Sequence, residues 1–344
     1  MRMVEKLEPG LCDDAAHTRE KLRFLSAPSS YAHRPAAVEV IETHMSYVFL
    51  AGERAYKMKK PVRYPFLDFS TIEARGRDCW EELRLNRRLS KDVYLGVRPL
   101  TAARGGLSLA GEGKIVDWLV EMRRLPSALM LDQLLAANGP DNAQIEAICE
   151  TLAQFYRRAE RSFIGPAQYV ERFIAEQQVN RAMLTHPGID HASQILDRLD
   201  AALSAQRRSL EARVIAGCVV DGHGDLRPEH ICLTEPVAIF DCLEFNADLR
   251  QVDPFDEAAF LGVECAQLGA RRLFRRFVEG LAQRLGDESP PWELVWLYAA
   301  WRAALRARLS IAHLLEAAPR QPHKWAPLAN RYLDLAAAAL DGAL

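Results

Sequence analysis

A chain of 344 residues, 49% hydrophobic and 26% charged, is long enough to bury a sizeable core, as two domains or as one two-lobed domain. Its net charge of −2 gives no electrostatic reason to expect nucleic acid or an anionic membrane as partner. No apolar run approaches the ~18 residues that span a bilayer and the first residues lack a signal-peptide core, so a cytoplasmic protein is expected; seven cysteines, odd in number and without a Cys-x-x-Cys pair, point to neither a disulfide framework nor a zinc site.

Taken in order, residues 1–36 form a mixed extension with a helical segment at 17–25 that should lie on the first lobe. Short β-rich runs follow at 38–43, 47–50 and, after a turn at 51–54, 55–60, which is the pattern of three antiparallel strands. Residues 70–90 carry Ser70 or Thr71 as a cap and then Cys79, Leu83, Leu85 and Leu89 in a charged background, an amphipathic helix for that sheet. Strands at 93–100, after the turn at 104–106 and at 115–122 complete a β-rich lobe over 37–122.

Past Pro126 the pattern turns helical: 129–137, a helix capped by Asp141 or Asn142, 167–185, 189–213, 254–268, 270–285, 291–316 and 326–342. A hairpin over 218–246 interrupts this run, so the expected class is α+β, with a helical second lobe over 123–344. The arginines at 271, 272, 275, 276, 302, 306 and 308 recur at helical spacing and are expected on solvated faces. Trp292, Trp296, Tyr298 and Trp301 have the spacing of a buried helix face rather than of a substrate contact.

The residues that carry chemistry gather at 221–246. His223, Asp225 and His230 follow the apolar run 218–220, and Asp241 ends a second apolar run, 237–240, after a Thr-Glu-Pro turn. A hairpin here brings Asp225, His230 and Asp241 to one end of the strand pair. Phosphoryl transfer from ATP needs a carboxylate that orients the attacking hydroxyl and accepts its proton, a metal ligand close by, and a second carboxylate joining Mg²⁺ to the phosphates. Asp225, with His223 beside it, fits the catalytic place, and Asp241 and His230 fit the metal place.

Over 215–260 the sequence resembles the aminoglycoside phosphotransferase branch of the protein-kinase-like fold, whose catalytic loop reads His-Gly-Asp-x-x-x-x-Asn and whose metal-binding Asp ends an apolar strand soon afterwards. Asp253-Pro254-Phe255-Asp256 resembles the Asp-Pro-x-x-Asp segment that supports the loop in that family. The resemblance implies a two-lobed kinase-like fold, ATP and Mg²⁺ as cofactors, and a small-molecule hydroxyl as acceptor. One position departs from it: His230 stands where the family has Asn, and a neutral imidazole is a poorer ligand for Mg²⁺ than an amide oxygen. Either His230 binds metal, with a shift toward Mn²⁺, or Asp241 carries the ion with waters, or the chain is catalytically weak.

The resemblance also implies a lysine for the α/β-phosphates and a helix glutamate to hold it. Lys57 and Lys59 share one face of the third strand, with Lys57 favoured; Glu81 and Glu82 are the helix candidates, and Glu82 is favoured by Leu85 and Leu89 at +3 and +7. Phosphate would rest on the turn from Thr43 to Ser46, cradled by backbone N–H groups and hydroxyls, because no Gly-x-Gly-x-x-Gly stands there. Glu121 and Met122 resemble the hinge whose backbone meets adenine, and Glu229, Glu244 and Asp248 suggest a cationic or polyhydroxyl acceptor. Two other classes stay open: a nucleotide-binding pseudokinase acting as a regulatory partner, and a metal-dependent hydrolase using His223, Asp225, His230 and Asp241.

Overall fold

Alternation along the third strand sets the layout of the first part of the chain. In the computed structural model, which describes residues 12–344 apart from Pro65, Phe66, Pro187, Asp190, Glu288, Ala317 and Ala318, residues up to Leu125 form one compact unit and residues from Pro126 a second. The first unit runs α1 (Cys12–Leu25), β1 (Val38–Glu42), β2 (Ser46–Ala51), β3 (Arg54–Lys59), β4 (Arg63–Tyr64), β5 (Leu67–Asp68), α2 (Ile72–Asn86), β6 (Tyr94–Ala103), β7 (Gly106–Leu109) and β8 (Lys114–Arg123). Six of these strands make one antiparallel sheet in the order β1-β2-β3-β8-β6-β7, and β4 with β5 makes a separate short pair. Side chains alternate faces along a strand, so Tyr56 and Met58 join Leu25, Tyr31, Phe49 and Leu119 in the core under α1, while Lys57 and Lys59 turn to the face that carries α2. Of the two candidate caps, Thr71 holds the start of α2, accepting from Ala74 N at 3.1 Å. The 17–25 segment is part of α1, and the start of the chain lies outside the described residues.

The second unit contains α3 (Leu131–Ala136), α4 (Asn142–Arg158), α5 (Pro166–Met183), α6 (Ala192–Ala205), α7 (Arg207–Ile215), β9 (Val220–Asp221), β10 (Ile231–Cys232), β11 (Ala238–Ile239), β12 (Gln251–Val252), α8 (Pro254–Gln267), α9 (Arg272–Leu285), α10 (Trp292–Ala312) and α11 (Trp325–Leu340). Asp141 and Gln144 close a capping box on α4. Two expectations are corrected. The helix over 189–213 is two helices, broken at Gln206, and the hairpin is β10 with β11, whereas Val220 pairs instead with Val252 of β12. Gly222, Gly224 and Pro228 interrupt the ladder between 220 and 231, so the outgoing strand ends before the turn begins.

Helix α8 is buried from Pro254 through Ala266, which is the pattern of a helix surrounded by others. Its acids are met by α10, and here the solvated-face expectation fails: Arg302 pairs with Asp256 through two 2.7 Å bonds, Arg306 with Glu264 at 3.0 Å, and Arg308 reaches Glu176 at 2.6 Å. Arg271, Arg272 and Arg275 are exposed as expected. The aromatics of α10 pack: Trp301 lies against Phe173, Trp296 stacks on Phe274, and Tyr298 is buried. Among the described residues no helix is long and apolar enough to cross a membrane.

Candidate active site

The loop after β9 owes its course to Glu257, one turn into α8. Its carboxylate accepts the main-chain N–H of His223 at 3.0 Å and that of Gly224, and Tyr156 donates to it at 2.7 Å. Burial pushes the Glu257 carboxyl up, against the pull of those donors. Gly222 must be glycine, because a Cβ there would stand 2.7 Å from Glu257 Oε2 and 2.4 Å from Val252; Gly224 turns the chain at φ +87. Asp253 and Asp256 do not touch the loop directly. Asp253 caps α8 and takes Arg213 at 2.6 and 2.9 Å, and Asp256 takes Arg302, so both anchor the helix that carries Glu257.

His223 is fully buried and both ring nitrogens are committed. Nε2 donates to Phe240 O at 2.9 Å, Nδ1 accepts from Asp225 N at 3.3 Å, and burial lowers the ring to about 4. The ring therefore ties the loop to the end of β11, and the expected catalytic role is corrected to a positioning one.

Asp225 is about a third exposed (32%). Burial alone would raise its carboxyl, but the charge of Arg227, with that of Arg306, holds it below the usual carboxylate range. Arg227 donates to Oδ2 through Nε at 3.0 Å, reaches Glu229 at 2.5 Å and meets His230 Nε2 with Nη2 at 3.2 Å. Oδ1 of Asp225 has no donor among the described residues.

His230 lies between the two candidate acids. Nδ1 donates to the main-chain oxygen of Asp225 at 2.7 Å and stands 3.9 Å from its Oδ2, while Nε2 stands 3.5 Å from Oδ2 of Asp241. Asp241 holds a left-handed φ of +60, a conformation that Asp tolerates better than most residues and that aims its side chain out of the strand. The chain thus brings Asp225, His230 and Asp241 to one end of the hairpin.

The fit to Mg²⁺ is uneven. Asp241, with a 40% exposed carboxylate, suits a hard cation that keeps several waters. His230 does not suit it: the lone pair of Nε2 already accepts from Arg227, and imidazole is a soft choice for Mg²⁺. His230, expected beside Asp241 as a metal ligand, is engaged by Arg227 and by the main chain of Asp225.

In the first unit, Glu82 is fully buried and takes both lysines, Lys57 at 3.0 Å and Lys59 at 2.7 Å; Lys59 also meets Asp78 at 2.6 Å. Glu81 turns outward to Arg84. Lys57 keeps more exposure than Lys59, 14% against 1%, and both reach Glu82.

Two further groups expected at the site are engaged within this unit. Thr43 Oγ1 donates to Ser46 O at 3.1 Å and accepts from Ser46 N at 3.0 Å, and Ser46 is buried, so these groups close the turn on itself instead of facing a phosphate. Glu121 and Met122 have paired strands on both edges, β3 and β6, which take up the backbone that adenine would need; the Glu121 side chain is held by Tyr56, Arg98 and Arg54.

The sequence does not single out Arg227, Glu257 or Glu264, and it places Arg306 on a solvated helix face. Arg227 and Glu257 lay inside or beside the quoted motifs; Glu264 and Arg306 carry no local signal.

No family model matches the chain. An uncharacterised protein of Mycobacterium tuberculosis is 36% identical over 294 residues, covering 82% of this chain and 56% of that protein, and its counterpart in Mycobacterium bovis aligns identically; the chain spans about half the length of these relatives. Among solved structures, a choline/ethanolamine kinase family protein from Mesorhizobium loti superposes with a TM-score of 0.54 at 14% identity, covering 95% of both chains. A choline kinase from Cryptosporidium parvum gives 0.52 at 12%, covering 95% of this chain and 97% of that one. A glucosamine kinase in complex with glucosamine, ADP and inorganic phosphate gives 0.51 at 16%, covering 93% and 86%. At such identities the likeness speaks for architecture alone, and it shows that this chain has the α+β protein-kinase-like fold of the choline/ethanolamine and glucosamine kinases.

Proposed function

We propose that the chain is an ATP-dependent phosphotransferase that moves the γ-phosphate to a hydroxyl of a small molecule. The observation that carries this reading is the His230 ring lying between two carboxylates, 3.9 Å from Asp225 Oδ2 and 3.5 Å from Asp241 Oδ2, on a kinase-like fold. The two acids sit in different states. Asp225 is gripped at Oδ2 by Arg227, leaving Oδ1 to accept a hydrogen bond from the acceptor hydroxyl and to take its proton as transfer proceeds. A carboxylate held below its usual range is a weak base, which suits a loose transition state in which orientation matters more than early deprotonation.

Asp241 is the residue that would hold Mg²⁺, whose charge would offset that of the phosphates. Lys57, steadied by Glu82, is the phosphate-contacting cation of the first unit, with Lys59 and Asp78 fixing Glu82 from the other side. Glu257 and His223 keep the loop carrying Asp225 in register. The neighbours' names, choline/ethanolamine kinase family protein, choline kinase and a glucosamine kinase in complex with glucosamine and ADP, support a small hydroxyl acceptor and a nucleotide donor.

The test is transfer of label from γ-labelled ATP to a panel of small hydroxyl compounds, read with ADP release. Transfer to at least one acceptor is expected. A second reading, a nucleotide-binding regulator, is favoured by the hold of Arg227 on both Asp225 and His230; ATP binding without transfer and without basal hydrolysis would select it. The hydrolase reading loses His223, whose nitrogens are both in use.

A further inference from the structure

Arg306 is held in an unusual way for an arginine between buried helices. Its Nε donates to Glu264 at 3.0 Å and to the Tyr332 hydroxyl at 3.4 Å, Tyr332 donates to the same Glu264 oxygen at 2.8 Å, and the guanidinium lies over the Tyr332 ring at 5.5 Å. Among the described residues Nη1 and Nη2 have no acceptor, and neither belongs to the fully enclosed unpaired atoms. One side of the fork is clamped and the other is open.

Arg306 is tied to the region of Asp225 through Glu264 of α8. Glu264 lies seven residues after Glu257, on the same face of α8, and the turn Pro228–His230 that carries Glu229 packs on that helix. The charge of Arg306 acts on Asp225 and on Arg227. The acids around Asp225 are already partnered: Glu229 takes Arg227, and Asp248 accepts from Gln251 at 2.9 Å. Glu229 and Asp248 are thus engaged within the protein, and Arg227 and Arg306 stand among the acids of this region, which weakens the argument for a cationic acceptor. Among the described residues, Arg306 is a cation of this region with open hydrogen-bond donors.

We infer that Arg306 binds an anionic group of the phosphoryl acceptor, whose hydroxyl is then presented to Oδ1 of Asp225, making the acceptor a small hydroxylated acid. The planar pair Nη1 and Nη2 matches a carboxylate in two parallel bonds, and the Glu264–Tyr332 clamp fixes the fork beforehand, so little side-chain freedom is lost on binding. The inference rests on the phosphotransferase reading, and Arg306 is a specificity residue within it.

The test compares matched pairs as acceptors for the full chain: glycerate with glycerol, glucuronate with glucose, gluconate with sorbitol, and glycerol 3-phosphate as the phosphate arm. At least one acid should be preferred over its neutral twin in kcat/KM, and glycerol 3-phosphate separates a phosphate from a carboxylate requirement. Arg306→Gln should raise the KM of the preferred acid by about tenfold or more, the worth of one charged hydrogen bond, while leaving ATP affinity unchanged and the KM of the neutral twin far less affected. Arg306→Lys, which keeps the charge and loses the fork, should fall between and guards against a folding defect in the first variant. Preference for a neutral or cationic acceptor, or a loss confined to ATP affinity, overturns the inference. Should no compound be phosphorylated, the phosphotransferase reading fails by itself; calorimetric titration of glucuronate against glucose then tests Arg306 separately, and equal binding of the two overturns the inference.

Discussion

Nε2 of His230 stands 3.5 Å from Oδ2 of Asp241 and yet accepts a hydrogen bond from Arg227, so the residue at the one position that departs from the resembled loop is bound to protein rather than offered to a metal. His230→Asn should therefore leave the apparent affinity for Mg²⁺ intact, and Mn²⁺ should have no special advantage in the unaltered chain. Metal titrations of ATP binding check this. A loss of about tenfold or more on substitution, confined to Mn²⁺, would make the imidazole a ligand after all.

The two lysines on β3 should separate cleanly. Lys59 is buried with Asp78 and Glu82, so Lys59→Ala takes the cation from Asp78, leaves Glu82 with Lys57 alone, and should cost about 3–5 kcal/mol of stability. Lys57→Ala leaves Glu82 paired with Lys59 and should weaken ATP binding by about tenfold with a far smaller stability loss. Urea unfolding and nucleotide titration of the pair give both numbers, and a reversed pattern would make Lys59 the phosphate contact.

Glu257→Gln is predicted to lower kcat without much change in ATP affinity. The amide offers one acceptor where the carboxylate serves the N–H groups of His223 and Gly224, and its NH₂ faces one of those donors, at a cost of about 1–3 kcal/mol. Loss of stability with kcat preserved would confine Glu257 to packing.

Acid sensitivity should trace to His223. Its ring titrates near 4 in the folded chain against an ordinary 6.5, so between those pH values the unfolded chain binds more protons and stability rises with pH. Falling through that window should remove on the order of 3 kcal/mol, a loss absent from His223→Asn. Glu257, which burial raises, acts with the opposite sign in both proteins, so the difference between the two stability curves isolates the histidine.

How much of this was legible in the sequence follows the range of the contacts. Asp225, His230 and Asp241 lie within seventeen positions, joined by turn residues, and their meeting could be read from a strand-turn-strand pattern. Glu82 could be preferred over Glu81 from the leucines that follow it. The two residues placed at a hinge fared otherwise: Glu121 and Met122 are enclosed by β3 and β6, and which edges of a strand are occupied is decided by pairing with segments far away. Arg302 and Arg306 looked solvated because their partners, Asp256 and Glu264, stand on a helix that is apolar nearly all round, more than forty residues earlier. Local pattern reports which residues share a face, and it is silent on what another helix brings to that face.

Basal ATP hydrolysis, with water as acceptor, tests the central claim before any acceptor is known. Asp225→Asn removes the oxygen that would receive the hydroxyl proton and should lower both basal hydrolysis and acceptor transfer by about 10²–10⁴-fold. ATP affinity should stay within a factor of about three. Turnover that survives this substitution in protein free of other kinases would contradict the account.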